Sequence, residues 1–85
     1  MISPEFTALQ QDIWVWELRK VNLTKAIDYA DSALRKIEEM DLPTAKMIGH
    51  AFLSTLQDAH RHTGDALARK NDEAAKMWRE GQGAQ

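Results

Sequence analysis

Two observations predict an all-α chain of antiparallel helical hairpins, with three or four helices in succession. Apolar residues recur at alternating spacings of three and four, the signature of a helix with one buried face. Helix-starting and helix-ending residues punctuate the chain at Ser3-Pro4, Asp41-Leu42-Pro43 and Thr63-Gly64.

Helix 1 is expected from about Pro4 to Lys20. Ser3 is suited to cap it, with Pro4 at its first position and Glu5 in the first turn. Phe6, Leu9, Ile13 and Trp16 form its main stripe, and Trp14, Leu18 and Val21 form a second stripe beside it. Two stripes make an apolar arc wider than one neighbouring helix covers in a small domain, so part of it is expected to meet a third helix or another chain.

Helix 2 is expected over 23–40, capped by Asn22 or Thr24, with Leu23, Ile27, Ala30, Leu34 and Ile37 as its stripe. The seven-residue register runs unbroken from Leu9 through Trp16 to Leu23 and Ile37, which leaves one long helix as the alternative to a turn at Val21-Asn22. The turn is the preferred reading. Asp41-Leu42-Pro43 is the stronger boundary, because a residue before proline avoids helical angles and proline itself suits a first turn.

Helix 3 is then expected over 43–63, on a stripe of Ala45, Ile48, Phe52, Leu56 and Ala59, ending where Gly64 takes a left-handed conformation. Helix 4, capped by Asp65, follows over 66–79, or else continues helix 3; its large apolar residues are few, mainly Leu67, Met77 and Trp78. Residues 1–80 are thus expected to form a single helical domain, and 81–85, without periodicity, a disordered tail. The opening Met1-Ile2-Ser3-Pro4-Glu5-Phe6 reads as a cloning remnant, in which case the natural sequence starts near Thr7 and the chain is a fragment.

At 85 residues the chain makes one domain that buries only about 60% of the surface its unfolded state exposes, so self-association would help it. It has no cysteine, which removes disulfides and thiolate metal sites and leaves the cytoplasm as the expected location. No apolar run approaches the roughly 18 residues of a membrane span. A net charge of -2, with acids and bases interleaved, opposes the strong positive field of an autonomous nucleic-acid binder.

Catalytic chemistry has no foothold in the pattern. His60 and His62 point about 200° apart around a helix and do not clasp one ion, so no metal or cofactor is expected. Asp58 and His62 read as a surface pair, and Glu38, Glu39 and Asp41 as a solvated acidic face. The serines and threonines have no recognisable base, and there is no glycine-rich phosphate loop. Arg69, Lys70, Lys76 and Arg79 are weak candidates for nucleic-acid contact, on a face that reads first as mixed and solvated. Trp14, Leu18, Val21 and Trp78 are the candidate protein interface, since tryptophan is enriched at binding hot spots; Trp16, on the main stripe, is expected in the core. Self-association is expected through the second stripe of helix 1.

The stretch from Val21-Asn22-Leu23 to Ala33-Leu34 resembles the second helix of a tetratricopeptide repeat, with a fainter echo in Gly64-Asp65-Ala66-Leu67-Ala68. The offset exceeds the roughly 34 residues of that repeat, so it implies hairpin architecture and not membership. A second succession, Gln11-Asp12-Ile13, Trp16-Glu17-Leu18, Asn22-Leu23, Ala26-Ile27-Asp28, Ala30, Ala33-Leu34 and Leu42-Pro43, resembles the GpM family of bacteriophage terminase small (packaging endonuclease) subunits. That resemblance implies a homo-oligomer acting in DNA packaging inside a bacterial host cell, with the terminase large subunit as protein partner. It transfers no catalytic residue. The family is longer and this segment is not basic, which leaves oligomerisation or partner docking as its part. The other reading is a small adaptor or regulatory subunit with no DNA role, holding a partner helix against Trp14.

Overall fold

The structure, a computed structural model, describes residues 3–81: two long helices, α1 (Pro4–Glu39) and α2 (Pro43–Arg79), lying antiparallel with no strand among the described residues. Of the tail expected over 81–85, only Gly81 is described, and the rest lies outside the described residues, as do Met1 and Ile2 at the other end. The hairpin measures 62 × 14 × 13 Å. The all-α expectation stands; the three or four helices do not, because expected helices 1 and 2 are one and expected helices 3 and 4 are one.

Both fusions have the same cause. On α1 the packing positions Phe6, Ile13, Trp16, Leu23, Ala30 and Leu34 continue one seven-residue register through Val21-Asn22, and a turn there would break the stripe in two. Thr24, expected as a cap, turns its hydroxyl back onto the Lys20 carbonyl at 3.0 Å, a bond made inside a helix. On α2, Gly64 sits mid-helix and does not take a left-handed angle; among the described glycines Gly81 does, at φ 82, two residues beyond the helix end. Asp65, expected as a cap, is an exposed residue in mid-helix.

The expected boundaries at Ser3-Pro4 and Pro43 hold. Ser3 Oγ accepts a hydrogen bond from the Phe6 N–H at 3.1 Å, and Pro4 and Pro43 open their helices. The turn between the helices places Asp41 at φ 51, a left-handed angle that aspartate tolerates better than most residues.

The α2 stripe needs a second correction. Ile48 and Phe52 do not pack on α1 and are 63% and 58% exposed; Gly49 and Leu53 face the seam in their place. The register Gly49, Leu53, Leu56, His60, Thr63, Leu67 repeats in alternating steps of four and three, as in a coiled coil. Gly49 sits at a close approach: a Cβ there would lie 2.8 Å from Leu34 Cδ1, so the Leu34 side chain would have to shift. Two helices touch along one line only, so the core is thin. Among the described residues Phe6, Ile13, Ala30, Leu34 and Leu67 are its buried apolar members, and none is wholly sealed from solvent.

Polar residues interrupt the seam and fix its register. Thr24 Oγ1 and His60 Nε2 are 3.1 Å apart across the helices, and Lys70 Nζ donates to Asp12 Oδ2 nearer the open end. Thr63, buried in the seam, satisfies its hydroxyl on the Ala59 carbonyl at 2.8 Å.

Candidate interaction surface

The seven-residue register assigns the hairpin two unlike long edges. One edge carries Glu17, Thr24, Asp31 and Glu38 from α1 and His50, Gln57, Gly64 and Asn71 from α2, and is polar. There His50 Nε2 meets Glu38 Oε1 at 3.3 Å, so the expected acidic face is paired in part across the helices. The other edge is laid with small residues: Ala26 and Ala33 on α1, Ala45, Ala59 and Ala66 on α2. Small side chains leave the helices separated by an open groove of about 840 Å³, floored by Leu23, Ala26, Ala59 and Ala66 and rimmed by Arg19, His62 and Arg69.

Trp16 closes one end of this groove. It is half-buried and not sealed in the core as expected, with the Arg19 guanidinium 4.8 Å and the Lys70 ammonium 5.4 Å from its ring centre. Lys70 is anchored there by Asp12, which reduces its availability as a nucleic-acid contact. Of the other weak candidates, Arg69 lines the groove, while Lys76 and Arg79 lie in the last turn of α2, where cations complement the helix dipole. Asp58 pairs with Arg61 at 3.3 Å, not with His62.

The expected protein-interface residues are all exposed. Trp14 is 62% exposed, and Val15, Leu18 and Val21 continue an apolar patch along the outer side of α1. Trp78 is exposed as well, but one side of its ring rests against Phe6, with centroids 5.9 Å apart, so it also shields the open end of the core. Sequence reasoning missed a second patch, Met47, Ile48 and Phe52 on α2, because it placed the last two in the core. No local signal could have found it: continued in steps of seven from Leu34, the α1 register falls on Asp41 and Ile48, and the turn at Met40–Leu42 resets the phase so that Gly49 and Leu53 face the seam.

Among the described residues no three acidic, histidine or cysteine side chains gather as a metal site, and no helix is long and apolar enough to cross a membrane. No family model, curated protein or solved structure matches the chain.

Proposed function

We propose that this chain is a helical oligomerisation and interaction domain that works in the cytoplasm through self-assembly and partner docking and carries no catalysis. The observation that supports this most is the imbalance of its apolar surface. Among the described residues, five buried apolar ones stand against an exposed set that includes Trp14, Leu18, Val21 and Phe52. Apolar patches of this kind on a small chain mark surfaces that other protein covers. Trp14, Leu18, Val21 and Trp78 are the proposed contacts on α1 and at the open end.

In the setting implied by the Gln11 to Pro43 resemblance, this is a terminase small-subunit-like component of phage DNA packaging, assembling with itself and docking on the large subunit. The tying of Lys70 to Asp12 and the interleaving of Asp72 and Glu73 with Arg69 and Lys76 favour the second reading, an adaptor or regulatory subunit with no DNA role.

Mass in solution, measured by light scattering at low and high protein concentration, tests the proposal. Assemblies of two or more copies are expected, and a monomer throughout would defeat the self-assembly part. Binding to DNA that weakens steeply with salt would favour the packaging setting, and protein binding indifferent to salt the adaptor.

A further inference from the structure

We draw no further inference here: the strongest candidate, the alanine-lined groove between α1 and α2 that Trp16 closes at one end and Arg19, His62 and Arg69 rim, is an open apolar face, and nothing in the structure shows what covers it.

Discussion

At single residues, the balance is between a few tight apolar contacts and a polar seam. Leu34 is among the best buried side chains and packs where Gly49 lets α2 come closest. Leu34→Ala should therefore cost about 3 kcal/mol, through lost transfer energy and the cavity left behind, as read by urea denaturation. A loss below about 1 kcal/mol would mean that the helices close over the gap. The Asp12–Lys70 pair is a different case: Asp12 keeps nearly half its side chain in solvent, and water screens the attraction. A double-mutant cycle on Asp12→Ala and Lys70→Ala should give a coupling of about 1 kcal/mol or less, its main service being to hold register. These seam contacts were not legible in the sequence. Asp12 and Lys70 are 58 residues apart, and nothing local says that they meet.

Among the elements, the two glycines of α2 separate close approach from backbone propensity. Gly49→Leu pushes a branched side chain into Leu34 and should destabilise by about 2 kcal/mol through overpacking. Gly64 has open space about it and ordinary helical angles. Gly64→Ala should therefore raise stability by about 1 kcal/mol, and thermal melts of both variants check the opposite signs. The same contrast explains what the sequence revealed of the elements. Ser3-Pro4 and Asp41-Leu42-Pro43 marked true boundaries because proline acts through sterics that tertiary packing does not reverse. Asn22, Thr24, Gly64 and Asp65 marked false ones, since capping preferences near 1 kcal/mol yield to an unbroken packing stripe. The unbroken register from Leu9 to Ile37 was in plain view, and it was the better guide. Trp14, Leu18 and Val21 were recognisable as an outer stripe from α1 alone, whereas the Ile48–Phe52 patch emerges only once the seam of α2 is placed against α1.

For the whole molecule, one line of contact between two helices leaves little stability in an isolated hairpin, and association would add to it by mass action. The melting temperature should rise with protein concentration across a hundredfold range; a value that stays constant would count against association coupled to folding. The elongated outline carries a further consequence for how assembly is seen by X-ray scattering. With a radius of gyration of 18.7 Å, against about 12 Å for a compact chain of this length, one copy already scatters like a rod. Side-by-side pairing thickens that rod more than it lengthens it, whereas end-to-end pairing nearly doubles its length. On side-by-side pairing, the intensity extrapolated to zero angle should double per molecule, while the radius of gyration increases only slightly and the cross-sectional radius grows.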